Sequence, residues 1–174
     1  METTKNDLPP NAKKFFYKLS DYLDTKLLYF GSVQRADYLP GKSDIDVDIF
    51  TDNEKSVISK LQHFLGVPKS KFKGIVWMIG DVTVYGYKLM YKNPEEQIVA
   101  EFSIYNEKFK DAVIKEHTKK FILPFYVTIL LKILKFFFYT VPILPFKVYR
   151  AGKNYLLTDA IGYVPDKFIV LDAL

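Results

Sequence analysis

Three aspartates stand at alternate positions in Asp44-Ile45-Asp46-Val47-Asp48-Ile49-Phe50. A period of two puts them on one face of a strand and Ile45, Val47 and Ile49 on the other. Like charges roughly 6.6 Å apart along a strand repel unless a cation lies between them. With oxygens as the only donors, that cation is Mg²⁺, Mn²⁺ or Ca²⁺. Twelve residues before Asp44, Gly31-Ser32 follows the apolar run Leu27-Leu28-Tyr29-Phe30. A turn of this kind frees backbone N–H groups for an anion, and a short helix starting there adds its dipole. A phosphate cradle followed by a carboxylate pair is what a nucleoside triphosphate with its metal requires.

Two other readings compete. Asp-x-Asp-x-Asp also opens a calcium EF-hand loop, but the sixth position, which needs Gly, is Ile49 and the twelfth, which needs Glu, is Lys55. A solvated or edge-protecting strand face would also carry alternating charge. Asp48 is read as a partner for a nearby Lys or Arg, or as metal-related.

The run Gly31-Ser32-Val33-Gln34-Arg35-Ala36, then Ser43-Asp44-Ile45-Asp46, resembles the polymerase β-type nucleotidyltransferase superfamily, most closely its minimal members, over residues 11–106. Ala36 stands where those proteins usually have Gly, and the loop 37–42 is about one residue longer. The resemblance implies two Mg²⁺ or Mn²⁺ ions about 4 Å apart. Asp44 and Asp46 would bridge them. A third carboxylate comes from a later strand in that family, and Glu101 in Ile98-Val99-Ala100-Glu101-Phe102 is the candidate, with Asp81 behind it. Gly31 and Ser32 would hold the terminal phosphates. Arg35, Lys42 and Lys88 are the nearest cations, with Arg35 and Lys88 assigned to phosphate against the alternative of plain surface charge. The implied activity is transfer of an NMP from an NTP, ATP among the candidates, to an acceptor hydroxyl with release of pyrophosphate. The acceptor is a protein, a small molecule or an RNA end. The alternative is a chain of the same fold that no longer catalyses and serves as a binding or membrane-tethered scaffold.

The elements that must position these residues read as follows. Asn11 to Asp24 is an amphipathic helix, Lys26 to Phe30 a strand, and residues 31–43 a loop with at most a short helix. Ile45 to Phe50 is the acidic strand. Thr51 and Glu54 make a capping box for a helix that Gly66 stops. Ile75 to Ile79 and Val82 to Tyr91 flank Gly80-Asp81, a type II′ hairpin. Gln97 to Tyr105 is a further strand, and Asn106 caps a helix running to about Lys120. The order describes an α+β fold, a mixed sheet with helices packed on it.

The chain of 174 residues has 25 Lys plus Arg against 20 Asp plus Glu, and no Cys. Disulfide scaffolds and thiolate zinc sites are thereby excluded, and 49% apolar content excludes disorder. Residues 1–14 lack the apolar run of a secretory signal, which suits a cytoplasmic chain. The division expected is 1–120 for the nucleotidyltransferase domain and 121–174 for an apolar helical appendage with a tail.

Within 121–146, Pro124 and Pro142 leave 17 residues between them, short of the about 20 a membrane helix needs. The eleven Leu, Ile, Phe and Val there are worth roughly −3 to −7 kcal/mol of insertion energy, and Lys132 with Lys135 costs about +5 to +7 kcal/mol. Thr128, Lys132, Lys135 and Tyr139 form one polar stripe on an otherwise apolar helix. That helix either packs into the protein or a second copy, or lies at a membrane surface with Lys119, Lys120, Lys147, Arg150 and Lys153 facing anionic lipid.

Overall fold

The computed structural model describes residues 2–162 and 168–173. Helix α1 (Pro10–Leu23) opens with proline, whose missing N–H costs nothing at a helix start, and buries Phe15, Phe16 and Leu19. Strand β1 (Leu28–Phe30) follows, then a 3-10 turn (Gly31–Gln34) and strand β2 (Ile45–Thr51). Helix α2 (Glu54–Leu65) starts at Asn53, whose Oδ1 accepts from the Ser56 N–H at 3.0 Å. The expected Thr51 cap is therefore corrected: Thr51 Oγ1 accepts from the Asn53 N–H and shapes the turn before the helix. Gly66 ends α2 in the left-handed region, φ 64°.

Strands β3 (Lys73–Ile79) and β4 (Val82–Asn93) form the hairpin at Gly80-Asp81. Gly80 has φ 57° and Asp81 is not among the positive-φ residues, the signature of type II′. Strand β5 (Ile98–Asn106) leads through a 3-10 turn, where Asn106 Oδ1 accepts from the Lys108 N–H, into α3 (Lys110–Thr118). Helix α4 (Phe125–Lys135) runs on as a π-helical segment through Thr140, and α5 (Phe146–Ile161) doubles back along it. Strand β6 (Phe168–Ala173) returns to the sheet.

The sheet order is β1-β2-β5-β4-β3-β6. Strands β2 and β5 run parallel, while β1 on β2 and β4 on β5 are antiparallel. The fold is α+β with a mixed sheet. Alternation sorts its faces. Ile45, Val47, Ile49, Phe102 and Ile104 pack against α1 and α2 in the main core. Phe30, Phe50, Trp77, Tyr105 and Val113 form a second cluster on the α3 side. The acidic positions of β2 share this second face. A small third cluster, Val127, Leu131 and Leu157, joins α4 to α5.

Candidate active site

Asp46 and Glu101 are register partners on the parallel neighbours β2 and β5, which places their side chains side by side on the α3 face. Phe30, the residue before the Gly-Ser turn, is the register partner of Asp46 on its other side. The turn therefore begins where the acidic strand passes. A Cβ built on Gly31 would lie 1.6 Å from Asp46 Oδ2, and Gly31 has φ 67°. Space and backbone conformation each demand glycine here. Ser32 is buried, and its Oγ has no hydrogen-bond partner among the described residues. A buried, unsatisfied hydroxyl beside a carboxylate is an orphan awaiting a ligand.

Burial, with the Asp44 and Glu101 charges, pushes the Asp46 carboxyl well above the ordinary carboxylate range, against the pull of Lys153 and Lys88. The Asp44 and Glu101 charges thus act against ionisation of Asp46; alternate spacing anticipated the first, while Glu101 came from the family resemblance. Glu101 finds one answer in Lys88, whose Nζ lies 2.6 Å from Glu101 Oε1 and 5.1 Å from the Phe168 ring centroid. Among the described residues no three His, Cys, Asp or Glu side chains converge tightly enough to hold a metal ion.

Asp48 lies deeper on the same face, 2% exposed, and its partner is neither Lys nor Arg. His117 Nε2 of α3 sits 3.1 Å from Asp48 Oδ2, enclosed by the rings of Phe30 and Trp77. Trp77 packs in the second core cluster. Asp81 stays at the hairpin turn.

Arg35 is not a surface cation. It is 5% exposed, and its Nε and Nη2 donate to the two oxygens of Asp37 at 2.7 and 3.1 Å. Lys135, from the middle of the apolar segment, reaches the same carboxylate at 2.9 Å and also donates to the Asp37 carbonyl and to Ser43 Oγ. Ser43 Oγ in turn accepts from the Leu39 N–H. Burial pushes the Asp37 carboxyl up, but the Arg35 hydrogen bond and charge, with Lys135, hold it down at about 2. Burial lowers Lys135, with Asp37 opposing. This network fixes the loop that delivers Asp44.

The helical hairpin also brings charge to the carboxylates. Lys153 of α5 and Lys120 after α3 both act on Asp46. Burial, then repulsion from Lys153, lowers the Lys120 amine to about 8. Tyr139 feels Asp44 and Asp46 and packs edge-on against Tyr149. Lys42 donates to Thr140 Oγ1 at 3.0 Å. Sequence spacing alone offered Lys120 and Lys153 to anionic lipid as one of two alternatives. What it lacked was the fold-back of α5, for which no local signal exists; the polar stripe through Lys135 and Tyr139 was the available sign for the rest.

A mixed sheet that carries a Gly-Ser turn against an Asp on β2 and an acid in register on β5 defines the nucleotidyltransferase class. The family model described as "Nucleotidyltransferase domain" matches residues 11–132, more than half of the chain, and the chain belongs to that family. No curated protein sequence matches it. Similar solved structures include that of the Cid1 poly(U) polymerase, at 14% identity and TM-score 0.39, covering 74% of this chain and 40% of that one. Cid1 in complex with the UTP analog UMPNPP gives 15% identity, TM-score 0.39 and the same coverages, 74% and 40%. A MgGTP-bound Cid1 gives 16% and 0.35, covering 69% and 33%. The chain thus spans about two fifths of the length of the first two.

Proposed function

We propose that this chain transfers an NMP from an NTP to an acceptor hydroxyl, using two divalent ions held by Asp44, Asp46 and Glu101. The observation that carries the reading is the contact of the Gly31 turn with Asp46, beside the unsatisfied Ser32 hydroxyl. The donor set is all oxygen and self-repelling, which suits a hard cation. Such ions, when bound, would neutralise the triphosphate and ease ionisation of the acceptor hydroxyl.

The residues of the chain bind and align. The Gly31 and Ser32 amides and the Ser32 hydroxyl take the terminal phosphates. Lys88, Lys120 and Lys153 add positive charge on the same side. Arg35 acts indirectly, holding Asp37 and with it the loop before Asp44, rather than gripping phosphate as its position in the motif implied. The acceptor oxygen forms a bond to the α-phosphorus as the bond to the bridging oxygen breaks. That oxygen keeps the electron pair and leaves with pyrophosphate, and the hydroxyl proton passes to the carboxylate side of the site. Positioning and charge do the work, with no protein nucleophile. The acceptor is a protein hydroxyl, a small molecule or an RNA end.

Incubation with each labelled NTP and Mg²⁺ or Mn²⁺ should yield a labelled product and pyrophosphate, and Asp46→Asn should lower transfer by about a thousandfold or more. The folded chain is penalised for ionised Asp46 as pH rises above its ordinary value, because its carboxyl is held high. Asp46→Asn removes that penalty, so its melting temperature at neutral pH without added metal should equal or exceed the parent's. Unchanged transfer in this variant overturns the assignment.

The Lys88–Glu101 ion pair favours a second reading, in which the third carboxylate is already neutralised and the chain binds NTP without turnover. Calorimetry showing metal-dependent NTP binding with no pyrophosphate released would select it.

A further inference from the structure

The α4–α5 hairpin faces two ways. Its inner side sends Lys135 to Asp37 and Lys153 toward Asp46. Its outer side leaves large apolar groups in solvent: Phe125 is 80% exposed, Phe146 60% and Tyr155 73%. Ile129, Ile133 and Phe136 continue the stripe along α4, one and two turns apart, opposite the buried Val127 and Leu131. Between the helices, Leu130, Phe137, Leu144 and Leu156 line a groove of about 310 Å³. Residues 117–161 contain seven Lys or Arg and one acid, the exposed Asp159 one turn beyond Tyr155. Lys132, Lys147 and Arg150 are exposed and in no ion pair among the described residues.

We propose that this outer face docks on an anionic lipid bilayer, lying within its interface. Three observations select that occupant. An apolar surface, aromatic and aliphatic, whose rim is mostly cationic with Asp159 as its one acid matches acyl chains below anionic headgroups, with the long stems of Lys132, Lys147 and Arg150 able to reach upward. A second copy of the same face would set Lys132, Lys147 and Arg150 against their equals with only Asp159 to offset them. RNA would use the cations and stack on Phe125, Phe146 and Tyr155, but it would leave the aliphatic stripe of Ile129, Ile133 and Val148 uncovered, which acyl chains bury. Among the described residues no helix is long and apolar enough to cross a membrane. Docked in this way, the hairpin shields the membrane side and leaves the carboxylate face of the sheet turned to water.

The test is co-sedimentation of the full chain with phosphatidylcholine vesicles, with and without phosphatidylserine. Binding should be at least about tenfold stronger with phosphatidylserine and should fall as salt is raised. Ile129→Ser with Ile133→Ser, and separately Lys132→Glu with Lys147→Glu and Arg150→Glu, should each abolish it while circular dichroism and melting stay unchanged. No binding by the folded parent chain overturns the proposal, as does undiminished binding by either variant. Light scattering that shows a dimer lost in Ile129→Ser with Ile133→Ser, or a single-stranded RNA retained through the three cations while vesicles are not, also overturns it. Nucleotidyl transfer is read in a separate assay, so either conclusion can fail alone.

Discussion

Helix α2 buries Val57, Ile58, Leu61 and Leu65 against the sheet and gives Lys55, Ser59 and His63 to water. Helix α4 reverses the assignment: Lys135 goes in with Val127 and Leu131, while Phe125, Ile129, Ile133 and Phe136 face out. Both carry a face that differs from the rest at helical period. In α2 the minority is apolar and seeks the core. In α4 the minority is polar, and one of its members, Lys135, is drawn inward because Asp37, fully buried, requires compensation for its charge, while Lys132 stays exposed. Periodicity thus marks which side of a helix differs and leaves open which side lies inside.

The comparison can be broken at Asp37 first. Asp37→Ala leaves Arg35 and Lys135 as two buried cations without their carboxylate, and should cost roughly 3–5 kcal/mol in denaturant unfolding. A loss below about 1 kcal/mol would mean that Lys135 does not anchor α4. In α2, Leu61→Ala should cost about 2–5 kcal/mol, since Leu61 is wholly buried.

Acid offers a milder probe of the same anchor. The Asp37 carboxyl lies near 2 in the folded chain against an ordinary 3.8. A depressed carboxyl contributes stability that is present above its unfolded value and lost as pH falls toward 2. The loss should be about 2 kcal/mol, and it should be missing from the acid limb of Asp37→Asn. The smallest effect belongs to the outward face. Ile133→Ala should change stability by about 0.5 kcal/mol or less, because the side chain is 47% exposed. A cost like that of Leu61→Ala would show that something within the chain covers this face.

Most of the site was legible from residue order. Period-two alternation put Asp44, Asp46 and Asp48 together, and the strand-turn pattern put Gly31-Ser32 against them. Register was not legible: nothing local says that Glu101 of β5 pairs with Asp46, because a parallel partner is chosen by the whole sheet. The Thr51 cap failed for a short-range reason, since Asn53 is an equally good acceptor two residues nearer the helix. Arg35 was misread because its partner Asp37 lies in an irregular loop, where no periodicity predicts direction. Lys120 and Lys153 were read by proximity in sequence to a greasy segment, and the reversal of chain direction at Pro142 to Pro145 carried Lys153 back to the carboxylates.

Strand β6 lies antiparallel beside β3, Trp77 opposite Phe168 and Ile75 opposite Val170, with a register shift between Ile75 and Lys73. Everything between α3 and that strand is therefore stitched to the sheet at both ends, with His117 and Asp48 near the first seam. A stretch anchored twice has far fewer ways to wander than a dangling one. Peeling the helical pair away would mean unpicking a seam first, so the wall it forms beside the carboxylates keeps its place without a large glue area of its own.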